Sequence, residues 1–105
     1  MTVAPIGRLS TRLVLERESR AADDSVVWLP AATLYGALAP VSADEAERGA
    51  GLGGRARWRI EIRRRTDLSG RDRLRAGARV FRILTVRDAD PRRGRLEVLA
   101  EEEEP

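Results

Sequence analysis

The stretch RWRIEIRRR, residues 57–65, constrains the fold more than any other part of the sequence, because basic and bulky apolar residues alternate along it. Successive side chains of a β-strand point to opposite faces of the sheet. Trp58, Ile60 and Ile62 are therefore predicted to face a core, and the residues between them to face outward. The basic residues of this outer side are a candidate interface, the arginine face, which comprises Arg57, Arg59, Arg63, Arg64 and Arg65.

Two apolar segments precede this strand. LSTRLVLER places Leu13 and Leu15 on one face and polar residues, Glu16 among them, on the other, as in a half-buried strand. VVWLPAATLYGALAPV is rich in β-forming residues but contains Pro30, which lacks the N–H group that a strand interior needs. The segment predicts a short strand, a kink at the proline and a second strand over residues 33–39.

Two more segments follow the arginine face. RLRAGARVFRILTVRD, residues 73–88, has apolar residues on both faces between Val80 and Val86, which predicts one central strand, covered on both sides or lying in a closed barrel. LEVLA predicts a last strand after a turn that contains Pro91 and Gly94. The aromatic residues are assigned to the core: Trp28, Tyr35, Trp58 and Phe81.

Together the segments predict a mainly β fold, a small antiparallel β-barrel or sandwich of five to six strands with one short helix and a long glycine-rich loop. A chain of 105 residues suits a single domain over residues 1–105 with one modest core. Residues 1–6 and 101–105 are predicted to be flexible ends, because the final EEEEP is too charged to fold on its own.

The segment SADEAERGAGLGG departs from the strand pattern. Ser42 and Glu45 have the spacing of a capping box, which predicts a short helix, and the glycines that follow predict a flexible loop. Such a loop is most often plain surface, but in so small a domain a long loop tends to carry function. Its candidate residues are Ser42, Asp44, Glu45, Glu47, Arg48, Gly49, Gly51, Gly53, Gly54 and Arg55.

Charge is distributed unevenly along the chain. The formal net charge is +3, and all 20 basic residues are Arg. Residues 55–82 hold eleven Arg against Glu61, Asp67 and Asp72, a local net charge of +8. Such a field attracts polyanions but can equally be neutralised by another copy of the chain. The acidic tail is a candidate contact for a neighbouring subunit and comprises Glu101, Glu102, Glu103 and Glu104.

The composition argues against catalysis and cofactor binding. With no Cys and no His, the chain lacks the soft ligands of zinc or haem and the imidazole general base. The carboxylates lie in turns or at the predicted helix start, and GAGLGG lacks the Lys-Ser/Thr of a phosphate loop, so we expect no enzyme and no cofactor. Because no apolar run approaches a membrane span and no secretory leader is recognisable, we expect cytoplasmic synthesis.

Two functions remain open for the arginine face from the residues alone. An Arg row beside aromatic residues can track phosphates, as in small barrels that bind single-stranded nucleic acid. The alternative is a solvated strand face whose charges discourage edge-to-edge pairing, and Trp58 alternates to the apolar side, away from any stacking surface. For the chain as a whole, a regulatory or toxin-neutralising interaction module is a third alternative.

The order of segments adds a resemblance. GRLSTRLVLER, VVWLPAATLYGALAPVSADEAERG, RWRIEIRRR and RLRAGARVFRILTVRDADPRRGRLEVLAEEE follow one another over residues 7–102. In this order they resemble the head-tail joining family of tailed bacteriophages, also called head-closure or stopper proteins, and especially the version found in gene transfer agents of alphaproteobacteria. The spacing from Trp28 to Tyr35-Gly-Ala, leading into PVSADE, and the sequence GARVFRIL carry most of this resemblance.

The resemblance implies a structural role in a virus-like particle. Family members fold as a small β-barrel and form a ring beneath the portal and adaptor, where the ring closes the DNA channel and docks the tail. The implied partners are other copies of the chain, the portal or adaptor protein, a tail terminator or tail tube protein, and double-stranded DNA in the channel, with no membrane and no small-molecule substrate. The implied location is the bacterial cytoplasm during assembly and then the neck of the particle.

The resemblance also implies roles for two surfaces. Residues 42–55 would point toward the channel or a neighbouring subunit. The arginine face would meet acidic surface on the next subunit or DNA phosphates at the channel wall.

Overall fold

The computed structural model describes residues 9–41 and 56–104. These ranges hold six strands, β1 Thr11–Arg20, β2 Val26–Pro40, β3 Arg57–Arg63, β4 Arg73–Ala76, β5 Arg79–Asp90 and β6 Arg95–Glu102, and one turn of 3-10 helix, Pro91–Arg93. The helix predicted at Ser42 and the glycine-rich loop lie outside the described residues. Within these residues, no helix is long and apolar enough to cross a membrane.

The strands form one antiparallel sheet that closes on itself. Their order is β1-β2-β3-β6-β5-β4, and β4 also pairs with β1 through residues 73–75 and 14–16. The prediction of a mainly β fold with five to six antiparallel strands is confirmed. We call this arrangement the closed sheet.

The core fills the inside of the closed sheet, because alternate residues of each strand point inward. Ile60 and Ile62 of β3 are fully buried, as the alternation in RWRIEIRRR predicts. Trp58 packs against this core and meets the ring of Phe81 edge-on, with 6.3 Å between ring centroids. The buried apolar residues are Leu13, Leu15, Leu34, Ile60, Ile62, Leu74, Phe81, Ile83, Leu96, Val98 and Ala100.

Pro30 does not interrupt β2, so the predicted division into two strands is wrong, and the irregularity at this point is a β-bulge. The strand runs unbroken over Val26–Pro40, and its pairing with β1 shifts by one residue between Leu15 and Glu16, where Ala32 and Pro30 are the partners. The residue between those partners, Ala31, is the extra residue of a β-bulge. A strand tolerates a proline at a bulge or along an open edge. Pro30 lies next to the bulge and in the part of β2 that does not pair with β3.

The segment of residues 73–88 is a hairpin and not one strand. β4 and β5 pair with each other, Ala76 opposite Arg79, and the turn between them contains Gly77 with φ +62°. Glycine adopts this left-handed conformation without a steric penalty. The apolar residues near Val80 therefore belong to the second strand of a tight turn, which two-residue periodicity alone does not reveal.

The ribbon formed by β1 and β2 extends beyond the closed sheet. β1 pairs with β4 only up to Glu16, and β2 pairs with β3 only from Gly36 onward. Residues 17–20 and 26–29 therefore pair only with each other; we call them the β1–β2 extension. Its turn is closed by Ala21 N–H donating to Ser25 O at 2.9 Å.

Ion pairs attach the extension to the closed sheet. Glu16 was expected on the outer, polar face, but only 5% of it is exposed. Its Oε1 lies 2.6 Å from Arg73 Nε, and its Oε2 lies 3.3 Å from Arg75 Nη2. The Arg73 guanidinium also lies 4.4 Å from the ring centroid of Trp28. Arg17, at the base of the extension, donates to Asp67 Oδ2 at 3.0 Å. Glu16 and Arg73 are direct partners in the pairing of β1 with β4, which places the carboxylate beside these arginines.

Candidate interface on the outer face of the sheet

The arginine face begins beside β6, where acidic residues of the same chain meet it. Arg57 Nε lies 3.7 Å from Glu101 Oε2, and Arg59 Nε lies 3.9 Å from Glu97 Oε1. Glu97 also accepts a hydrogen bond from Arg87 Nε at 3.0 Å. Cross-strand pairs of opposite charge of this kind stabilise a sheet by up to about 1 kcal/mol each. The charges of Arg57 and Arg59 are therefore largely balanced inside one subunit.

Glu102 forms the most connected part of the acidic tail. It accepts hydrogen bonds from Trp58 Nε1 at 2.9 Å and from Arg79 Nε and Nη2 at 2.9 and 3.0 Å. The Arg79 guanidinium covers the rings of Trp58 and Phe81 at 5.0 and 4.9 Å from their centroids. The hydrogen bond from Arg79 and, to a smaller extent, that from Trp58 lower the pKa of Glu102 below its ordinary value.

The acidic tail is thus partly structural. Residues 101–105 were predicted to be a flexible end, but Glu101 and Glu102 belong to β6 and pair with β3 and β5. The Glu103 N–H continues this order by donating to Val80 O at 2.9 Å. A run of glutamates does not fold on its own. Here arginines on both neighbouring strands neutralise the carboxylates, so β6 continues into the tail. A role in contacts with a neighbouring subunit stays a prediction for Glu101, Glu102, Glu103 and Glu104.

The far end of the arginine face has different surroundings. Arg65 binds Asp67 through two hydrogen bonds of 2.9 Å, which hold the pKa of that carboxyl far below its ordinary value. Arg64 lies 3.4 Å from Asp88 on an exposed surface. Arg63 forms no hydrogen bond or ion pair through its side chain within residues 9–41 and 56–104. The five arginines therefore do not act as one charged surface.

A second row of residues crosses the outer face through Arg63. Arg12 of β1 is the direct partner of Tyr35 in β2, and the pairing of Gly36 with Ile62 brings Tyr35 beside Arg63. Arg63 is in turn the partner of Arg95 in β6. Tyr35 and Arg63 line one shallow depression of the surface. We call these four residues the arginine–tyrosine row: Arg12, Tyr35, Arg63 and Arg95.

Tyr35 is 52% exposed, so its assignment to the core is wrong. Its neighbours Leu34 and Gly36 are buried, and alternation along a strand then directs Tyr35 outward. The sequence contained this signal in TLYG, but the apolar character of the surrounding segment concealed it. Trp28 is also outside the core cluster, half-buried beneath Arg73.

Arg95 is unusual within this row because it is buried. Its side chain is 9% exposed, and its Nε lies 3.8 Å from Glu61 Oε1, beyond hydrogen-bond distance. Among the described residues, Nε and Nη1 of Arg95 have no hydrogen-bond partner. A guanidinium keeps its charge even when buried. The row therefore contains a positive charge that the surrounding protein only partly compensates.

The remaining candidate residues belong to the segment between β2 and β3 that is predicted to be a loop. Residues 42–55 lie outside the described part of the chain, so a role of this loop in a channel or subunit contact stays a prediction. The structure places its two ends next to each other, because Val41 N–H donates to Arg57 O at 3.0 Å. The residues that flank this segment therefore lie together at one point of the closed sheet, beside the arginine face.

Comparison with known proteins identifies a matching family and similar solved structures. Residues 4–103 match the family described as phage head completion protein. The fold is similar to the solution structure of a Shigella flexneri 2a protein, with 31% identity, a TM-score of 0.67 and coverage of 93% of this chain and 96% of that chain. It is also similar to a chain from the virion of a native gene transfer agent particle, with 25% identity, a TM-score of 0.69 and coverage of 91% and 96%. No curated protein matches.

Proposed function

Because the chain belongs to the phage head completion protein family, we propose that it is a connector subunit between the head and the tail of a phage or gene transfer agent. It is a structural protein and not an enzyme. In the proposed role, copies of the chain form a ring beneath the portal or adaptor protein. The ring closes the DNA channel and offers its other side to a tail terminator or tail tube protein.

The observation that carries this proposal is the likeness to a chain of the gene transfer agent virion over nearly the full length of both proteins. The family match over residues 4–103 supports the same role and the single domain that we propose for residues 1–105. The subunit would be made in the bacterial cytoplasm and would end in the neck of the particle.

The fold suits a ring subunit in two respects. The closed sheet gives a compact body in which every strand pairs with two neighbours, so that contacts with other subunits need not complete its core. The residues that flank segment 42–55, Val41 and Arg57, lie side by side, so a loop in this segment could reach a channel without disturbing the sheet. In a ring, many weak contacts add to a stable assembly, so no single tight site is needed.

The test is assembly with the proteins of its own particle. We expect the purified chain, mixed with portal and adaptor, to cap that complex with a closed ring in negative-stain micrographs and to raise its mass in mass photometry. A variant that lacks residues 49–54 should still fold and bind, because its closed sheet is intact, but should leave the channel open to DNA. If the chain does not bind the complex at micromolar concentration, the connector role is refuted.

A further inference from the structure

We propose that the arginine–tyrosine row is a contact surface for the phosphodiester backbone of DNA, with Arg12, Tyr35 and Arg63 as the contacting side chains. The inference deepens the proposed function, because DNA in the channel would be the polyanion that meets this surface. Only Arg63 belongs to both this row and the arginine face.

The first argument is charge that remains uncompensated. Arg57 and Arg59 have Glu101 and Glu97 within 4 Å. The side chains of Arg12 and Arg63 are exposed and have no hydrogen bond or ion pair within the described ranges. A guanidinium without a carboxylate partner keeps its donors for a phosphate, which it can bind in a bidentate manner.

The second argument is the buried charge of Arg95 at the end of the row, beside Arg63. Arg63 and Arg95 are direct cross-strand partners, so two like charges lie opposite each other, an arrangement that is destabilising in an isolated sheet. The acidic groups around them are Glu61, 3.8 Å from Arg95, and Asp90, which is 3.5 Å from Arg93. A bound anion would relieve the repulsion between Arg63 and Arg95. Repulsion that a ligand removes is typical of a binding surface.

The third argument is the chemistry and length of the row. The Tyr35 hydroxyl is a donor of the kind that contacts phosphate oxygens in protein–DNA complexes. From Arg12 to Arg95 the row crosses three strand spacings, about 14 Å, the axial length of about four phosphates of one strand. An acidic peptide also carries negative charge, but the exposed tyrosine between two arginines matches the alternation of phosphate and sugar or base surface better.

The experiment measures DNA binding by the isolated protein, so that it succeeds or fails independently of ring assembly. Fluorescence anisotropy would follow a labelled duplex and a labelled single strand between about 50 and 200 mM salt. Two phosphate-contacting arginines predict a weakening of about 12-fold for the duplex and about 7-fold for the single strand over this range. The variant Arg12→Gln/Arg63→Gln should lose nearly all of this salt dependence. Tyr35→Phe should weaken binding less.

The matched control is Arg71→Gln/Arg82→Gln, which removes the same charge from two exposed arginines outside the row. Arg82 pairs in register with the opposite end of β6 from Arg95, about 20 Å away. This control should keep wild-type affinity to within about twofold. Equal loss in both double variants would overturn the row as a site and leave only diffuse attraction. Indifference to DNA at low salt, or binding of polyglutamate in preference to DNA, would overturn the assignment of the ligand.

Discussion

The closed sheet and the β1–β2 extension are built from the same two strands, yet different forces hold them. Inside the closed sheet, Leu13 and Leu15 of β1 are fully buried. In the extension, Leu29 is 51% exposed and Val26 is 44% exposed, and the attachment is through ion pairs at its base. A strand buries its apolar side chains only where other strands complete the enclosure, so sequence hydrophobicity overstates burial in the extension.

The extension also leaves one side of β2 open. Residues 26–35 pair with β1 but not with β3, and this stretch contains no charged residue. Charged residues and prolines are the usual protection of an open strand edge. Here Pro30 and the twist imposed by the bulge are the protection that the structure provides. The contrast between the two regions leads to four predictions.

The largest expected effect compares one substitution in both regions. Leu13→Ala should lower the free energy of unfolding by about 2–5 kcal/mol, because it leaves a cavity at a fully buried position. Leu29→Ala, the matched control in the extension, should change it by less than about 0.5 kcal/mol. Urea unfolding followed by tryptophan fluorescence measures both. Equal losses would mean that the extension is packed as tightly as the core.

The second prediction concerns the attachment of the extension. Glu16→Gln should cost about 1–3 kcal/mol, since it leaves the guanidinium of Arg73 partly buried without its carboxylate partner. Glu18→Gln is the control, because Glu18 lies 3.9 Å from Arg20 on the exposed part of the ribbon, where an ion pair contributes little. Hydrogen exchange should also speed up in residues 26–30 of the Glu16 variant. Unchanged exchange there would contradict the anchoring role of Glu16.

The third prediction concerns the close approach of strands beneath Tyr35. A Cβ atom on Gly36 would lie 2.8 Å from Leu13 Cδ1 and 3.1 Å from Glu61 O, so Gly36→Ala should cost about 1–3 kcal/mol through overpacking. Gly70→Ala is the matched control, since a Cβ atom there meets nothing within 4 Å. Thermal unfolding should show a lower Tm for Gly36→Ala and an unchanged Tm for the control. A neutral Gly36→Ala would show that β1 and β3 can separate at this point.

The smallest effect is a dependence on pH at the end of β6. The pKa of Glu102 is lowered in the folded protein, so its stabilising contribution is present above the ordinary glutamate pKa and is lost as the pH falls. Wild type should exceed Glu102→Gln in stability by at most about 1 kcal/mol near pH 7. The difference should shrink as the pH falls below the ordinary glutamate pKa and vanish once the carboxylate is protonated in the folded protein as well. A difference that persists in acid would indicate a packing effect and not a charge effect.

Several features could be predicted because they depend on residues close in sequence. The alternation in β3 gave the inward side of Ile60 and Ile62, and the succession of short apolar segments gave the β class. The order of the same segments gave the resemblance that the family match now confirms. The hairpin at Gly77 and the unbroken strand through Pro30 were missed. A turn and a bulge each change the pairing by one or two residues without changing the apolar pattern.

The sequence by itself determined that this chain forms strands, which residues of β3 face inward, and that its middle is basic. Only the tertiary structure decided which arginines are neutralised, because Arg57 meets Glu101 and Arg59 meets Glu97 across strands that are distant in the chain. It also decided that Arg12, Tyr35 and Arg63 lie side by side on three strands. Electrostatic partners are set by the register between strands, and register follows from closure of the whole sheet, which no local segment specifies.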